Sequence, residues 1–128
     1  MTGCHHRRLP DHSTLLAGRQ PPDEVGFRSE RLQIWYNHQD ESWIDRGEPP
    51  HKHELSDKCF VVLRGTLVVD ANGDRFAVGP REFCCFPAGL YHAIVEVRPP
   101  VETLMIRVPS VEDKVYLSEE NPRARRVG

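Results

Sequence analysis

A chain of 128 residues with 38% hydrophobic content has material for one domain around one core. A formal charge of -2 provides no surface for a polyanion, which sets nucleic-acid partners aside. No apolar run is long enough to cross a bilayer, and Met1-Thr2-Gly3-Cys4-His5-His6-Arg7-Arg8 is not followed by the apolar stretch of a secretory signal, so no membrane partner and a cytoplasmic location are expected.

Residues 1–24 contain Pro10, Gly18, Pro21, Pro22 and one short apolar patch, Leu15-Leu16-Ala17. They read as a flexible N-terminal arm that contributes at most one edge strand. His5, His6 and His12 lie on this arm, where the entropy of ordering it disfavours them as a principal metal site. Residues 30–38 alternate, with Leu32, Ile34 and Tyr36 on one face and Gln33, Trp35 and Asn37 on the other. This is a strand pattern, and either face is free to line a pocket. Residues 39–50 form a loop carrying acidic residues, Trp43, Gly47 and paired prolines.

The loop delivers His51-Lys52-His53. Strand side chains alternate with period two, so both imidazoles share a face and can reach one cation. Strands follow at 59–63 and 66–70, joined at Arg64-Gly65. Asn72-Gly73 is a hairpin dipeptide suited to a type I′ turn, because both of its residues need positive φ. Residues 75–78 run back, Gly79-Pro80 breaks them, and 82–86 form the next strand. Pro87-Ala88-Gly89 then turns the chain toward His92, which opens the β-branched run Ala93-Ile94-Val95-Glu96-Val97. Three imidazoles on two strands of one small β-domain are a metal-site constellation. After Arg98-Pro99-Pro100 a late strand is expected at 104–108. Residues 111–117 read as a short helix or strand, and the end from Asn121 to Gly128 as a solvated basic tail.

Short strands punctuated by Gly, Pro and Asn-Gly turns, without sustained helical periodicity before residue 110, predict an all-β sandwich or barrel. Cys4, Cys59, Cys84 and Cys85 lack Cys-x-x-Cys spacing, and adjacent Cys84 and Cys85 point to opposite strand faces. Reduced, inert thiols are expected, with a thiol near the metal as the sharper alternative.

The block from Gly47 to Gly65 resembles the first cupin motif, G-x5-H-x-H-x(3,4)-E-x6-G, in Gly47, His51, His53 and Gly65, with a shortening after Gly47. The second block resembles the second motif, G-x5-P-x-G-x2-H-x3-N, in Pro87, Gly89 and His92. The resemblance covers roughly residues 30 to 108. Lys58 stands where the first motif has glutamate, Arg81 where the second has glycine, and Glu96 where it has asparagine.

What the resemblance implies is an all-β jelly-roll (cupin) β-barrel at 25–110, with the arm at 1–24 and a C-terminal extension at 111–128. It implies a divalent transition metal, Fe, Mn, Ni or Zn, on His51, His53 and His92, and a homodimer. The implied activity is that of a metal-dependent enzyme on a small anionic or carbonyl-bearing molecule, of dioxygenase, isomerase, cyclase or lyase type. The alternative is a non-catalytic metabolite-binding, sugar-binding or metal-sensing module. Lys58 and Glu96 are the candidate catalytic residues. An inward Lys58 would have a lowered pKa and serve as general base or Schiff-base amine. The simpler expectation swings its amine into water. A local bulge could instead present Asp57 as the missing carboxylate, whereas Glu54 should face away from His53. Glu96 shares strand parity with His92 but stands about 13 Å along the strand, as a substrate contact deeper in the barrel, a partner for Lys58 or a solvated strand end. Phe60, Val62 and Ile94 should line the interior, and Trp35, Tyr36 and Trp43 either close its mouth or pack in the core.

Overall fold

In a computed structural model, residues 4–19, 26–40 and 48–120 are described. Trp43, Gly47 and the basic tail therefore lie outside the described residues. The elements are β1 (Thr14–Gly18), β2 (Phe27–Arg28), β3 (Gln33–Gln39), β4 (His51–His53), β5 (Asp57–Ala71), β6 (Asp74–Val78), β7 (Phe83–Phe86), β8 (His92–Val108), β9 (Lys114–Tyr116) and the single turn α1 (Leu117–Glu120). No helix among the described residues is long and apolar enough to cross a membrane.

The strands form one mixed sheet, ordered β2-β1-β3-β8-β4-β9, from which β5, β6 and β7 branch through the pairing of β5 with β8. The hydrogen-bonded path does not close on itself, but the jelly-roll character is clear in its longest ribbon. β5 and β8 pair antiparallel from Asp57↔Val108 to Ala71↔His92, with register shifts between Val62 and Thr66. The two strands expected at 59–63 and 66–70 are thus one strand that bends at Gly65.

Gly65 is required at this bend. Its φ is +81°, and a Cβ there would stand 2.4 Å from the Pro100 carbonyl oxygen and 2.8 Å from Val101 Cα. Only glycine both adopts that conformation and allows the close backbone approach. Phe86 pairs with Lys58 near one end of the ribbon and stacks on His92 at the other, with ring centroids 4.2 Å apart, so folding the ribbon brings its two ends together.

Around the bend the inner face is apolar, with Val62 and Val101 fully buried and Leu67 and Val78 nearly so, and Val69 and Phe86 continue it toward the histidines. Each such side chain stabilises the fold by about 1.5–3 kcal/mol through burial. The expected hairpin is present, with φ of 51° at Asn72 and 92° at Gly73. On β3 the interior face is that of Trp35 and Asn37: Trp35 packs against the core and Asn37 Nδ2 donates to Thr103 Oγ1 at 3.3 Å. Tyr36 is buried on the other side, opposite Thr14 of β1, and its hydroxyl bonds to Glu102.

Candidate metal centre

Alternation along β4 turns His51 and His53 inward, where both are buried, and leaves Lys52 between them on the other face. His92, the first residue of β8, is the direct cross-strand partner of His51. Ring centroids stand 4.5 Å apart for His51 and His92, 5.4 Å for His51 and His53, and 5.8 Å for His53 and His92. One ring nitrogen from each lies within 4.8 Å of the others.

The hydrogen bonds decide which nitrogen faces inward. His51 Nδ1 lies 3.0 Å from the Pro49 carbonyl oxygen, His92 Nδ1 lies 3.0 Å from that of Leu90, and His53 Nδ1 lies 2.9 Å from Asp113 Oδ1. Each acceptor holds a proton on Nδ1, which leaves the Nε2 lone pair free. His53 Nε2 and His92 Nε2 are buried and have no protein partner. Burial pushes the pKa of His51 down to about 4 and that of His92 to about 3, and lowers that of His53, so all three rings are neutral, as metal ligation requires. The donor set fits a divalent transition metal, and an ion would draw the nitrogens closer together.

Lys58 corrects the simpler expectation. Its side chain does not reach water: the residue is 7% exposed, and Nζ lies 3.5 Å from His51 Nε2. Burial lowers its pKa to about 8, with further depression from Lys114 and Arg107 partly offset by Glu48. Strand parity places Lys58 on the inner face with Phe60 and Val62.

Asp57 faces outward, and its Oδ1 accepts from Ala88 N at 2.9 Å, so it ties down the turn before His92 rather than joining the histidines. Glu54 is exposed, as parity predicts. The structure does not bring Glu96 to the cluster. Val69 pairs with Ile94 while Val68 pairs with Glu96, so β8 carries one extra residue here. That bulge inverts parity, and Glu96 is exposed and bonded to Arg98 Nε at 2.5 Å.

The carboxylate that does reach the site is Asp113, just before β9. Its Oδ1 accepts the hydrogen bond from His53 Nδ1–H, and its Oδ2 accepts from Leu55 N at 2.9 Å, Ser56 N at 2.8 Å and Ser56 Oγ at 2.7 Å. Burial alone would raise its pKa, but the hydrogen bonds from Ser56, His53 and Leu55 outweigh that and hold it below the usual carboxylate value. Arg107, the register partner of Lys58, is also buried, with Nη1 3.3 Å from His53 Nδ1 and Nε lacking a partner. No spacing in the sequence marks Asp113 or Arg107; the signal for Arg107 is its inward parity with Met105 on the late strand.

Cys59 and Cys84 have thiol pKa values raised by burial to about 12 and about 11, as inert thiols require. At the N-terminal arm, a surface cavity of about 390 Å³ lined by His5, Arg7, Leu9, His12 and Leu15 includes none of the cluster.

A family model described as "Cupin domain" matches residues 45–107. No curated protein matches the chain by sequence. Among solved structures, KdgF from Halomonas sp. is 20% identical with a TM-score of 0.59, over 78% of this chain and 79% of that one. The DMSP lyase DddQ from Ruegeria pomeroyi DSS-3 is 21% identical with a TM-score of 0.64, over 85% of this chain and 52% of that one, so the match spans about half of DddQ. Streptomyces PAC13 with uridine is 14% identical with a TM-score of 0.59, over 73% of each chain. Another structure of that protein is described as a nucleoside dehydratase. At these identities the likeness is one of fold.

Proposed function

We propose, from the premise that the chain belongs to the cupin superfamily, that it is a small metal-dependent enzyme acting on a small anionic or carbonyl-bearing organic molecule. The observation that carries this reading is the set of three neutral imidazoles whose Nδ1 atoms are all committed to oxygen acceptors while two Nε2 atoms are buried without a partner. His51, His53 and His92 would hold Fe, Mn, Ni or Zn, which when bound polarises a substrate oxygen and lowers the pKa of bound water. Around that position the chain's own groups have separable roles. Asp113 fixes the tautomer of His53, Phe86 holds the plane of His92, and Lys58 brings an amine that can take or give a proton beside the histidines.

Of the reaction types the family offers, we favour lyase-type elimination, in which the proton next to a polarised carbonyl is removed while the group on the adjacent carbon leaves with its bonding electrons and takes up a proton. Two neighbours of like fold are described as a lyase and a dehydratase, and the Lys58 amine beside His51 supports a proton-transfer role in such a reaction. Glu96 has no part in this scheme because it faces solvent.

A second reading, a binding module without turnover, is favoured by the same Lys58: an ammonium 3.5 Å from a ligand nitrogen repels a divalent ion. Metal analysis of protein purified without added metal tests both. Near-stoichiometric metal that is lost in His92→Ala is expected. Less than about a tenth of an equivalent, unchanged by that substitution, removes the three-histidine centre from either reading. Lys58→Glu should tighten metal binding at least about tenfold. The homodimer implied by the family would be excluded by sedimentation that shows monomer alone at micromolar concentration.

A further inference from the structure

Two buried cations face each other at the mouth of the interior. Lys58 and Arg107 are register partners on β5 and β8, 7% and 8% exposed, so their side chains leave the same face about 5 Å apart. Like charges directly opposite in a sheet destabilise it, and burial removes the water that would screen them. Arginine cannot relieve the conflict by losing its proton.

Glu48 offsets part of the Lys58 charge, but the carboxylates nearby are engaged with other partners. Asp113 serves His53, Leu55 and Ser56 through both oxygens, and Glu48 Oε1 pairs with Lys114 at 3.1 Å and leans on His51 Nδ1 at 3.6 Å. The close neighbour of Arg107, His53 Nδ1, keeps its proton to donate to Asp113 and so offers no lone pair, and Arg107 Nε is buried without a partner. What this pair lacks is an acceptor with two oxygens.

We propose that Arg107 and Lys58 form a seat for the carboxylate of a small organic acid beside the histidine cluster. A guanidinium presents parallel N–H donors that match a carboxylate, and the lysine adds a second positive charge on the same side. The seat makes the substrate of the enzyme proposed above a carboxylic acid whose neighbouring oxygen faces His51, His53 and His92. That step rests on the metal-dependent reading, whereas the seat itself requires no metal.

The test is thermal unfolding of the full chain in EDTA at constant ionic strength, with L-lactate and pyruvate as probes, propane-1,2-diol as the same skeleton without the carboxylate, and inorganic phosphate as a competing anion. A saturable rise in midpoint is expected with lactate or pyruvate at tens of millimolar, with none from the diol and little from phosphate. Arg107→Met should weaken that response at least about tenfold in ligand concentration while its ligand-free midpoint equals or exceeds that of the parent chain. If that variant does not fold, Lys58→Met makes the same test. No rise with either acid up to about 100 mM, an equal rise with phosphate or the diol, or an undiminished response in the substituted chain overturns the proposal. Metal content of the same preparations is read separately. A chain that loads metal but ignores carboxylates sinks the seat alone, and one that answers carboxylates but loads no metal sinks the metal reading alone.

Discussion

The two ends of the folded β5–β8 ribbon bury their side chains equally well and to opposite effect. At the bend, Val62 and Val101 are fully buried among other apolar groups. At the mouth, Lys58 and Arg107 oppose each other beside three imidazoles and a carboxylate, all of them buried too. Burial at the bend removes apolar surface from water and stabilises the fold. Burial at the mouth strips water from polar groups and is compensated only where a partner is supplied. One end of the interior therefore holds the protein together, and the other gathers polar groups at a cost in stability.

The largest effect should come from the bend itself. Gly65→Ala places a Cβ 2.4 Å from a backbone oxygen at positive φ, so a loss of more than about 3 kcal/mol, or no folded protein, is expected in denaturant unfolding. Native-like stability would show that the ribbon does not fold as described. Substitutions within the two ends should then differ in sign. Val62→Ala should cost about 2 kcal/mol and leave metal content unchanged. Lys58→Met should instead add about 1–3 kcal/mol at pH 7, since it removes a buried charge with little change in volume. If both substitutions destabilise alike, the contrast between the ends is wrong.

The pH dependence sharpens the same contrast. With its pKa at about 8, Lys58 in the folded chain binds fewer protons than in the unfolded chain between pH 8 and the ordinary lysine value of 10.5. Its contribution to stability therefore rises with pH across that window, by up to about 1.4 kcal/mol per unit, and Lys58→Met should abolish the rise. The histidines act at the acid side. Folded values lowered from 6.5 to about 4 for His51 and about 3 for His92 mean that the unfolded chain takes up protons first, so metal-free stability should fall as pH drops from 6.5 toward 4. Urea midpoints measured in EDTA that stay flat over that range would show the rings are not buried neutral. The smallest effect is expected at Glu96, where Glu96→Gln should change neither stability by more than about 0.5 kcal/mol nor metal content, because the pair with Arg98 is exposed.

The histidines could be read from the sequence because strand parity and a Pro-x-Gly turn are local properties, and the geometry of three ligands on paired strands follows from them. Arg81 shows the same logic in the backbone. It stands where the second motif has glycine and has a φ of 68°, the left-handed conformation that glycine adopts most readily. Glu96 was misplaced by parity because a one-residue bulge leaves no mark in the alternation of Ile94, Val95 and Val97. Lys58 was legible in direction but not in burial, since one strand pattern cannot tell whether other elements close over its mouth. Asp113 was illegible for a different reason: it meets His53 from 60 residues away, and a long-range pairing of short segments has no period to detect.

The position of Asp113 also sets an order of events in biosynthesis. A ribosome delivers His51 and His53 first, then His92, and the carboxylate that orients His53 only after β8 is complete. The nascent chain can collapse its apolar bend before it owns a properly oriented set of imidazoles. A metal centre of the kind proposed above would gain its oriented His53 only once the chain has been made as far as Asp113.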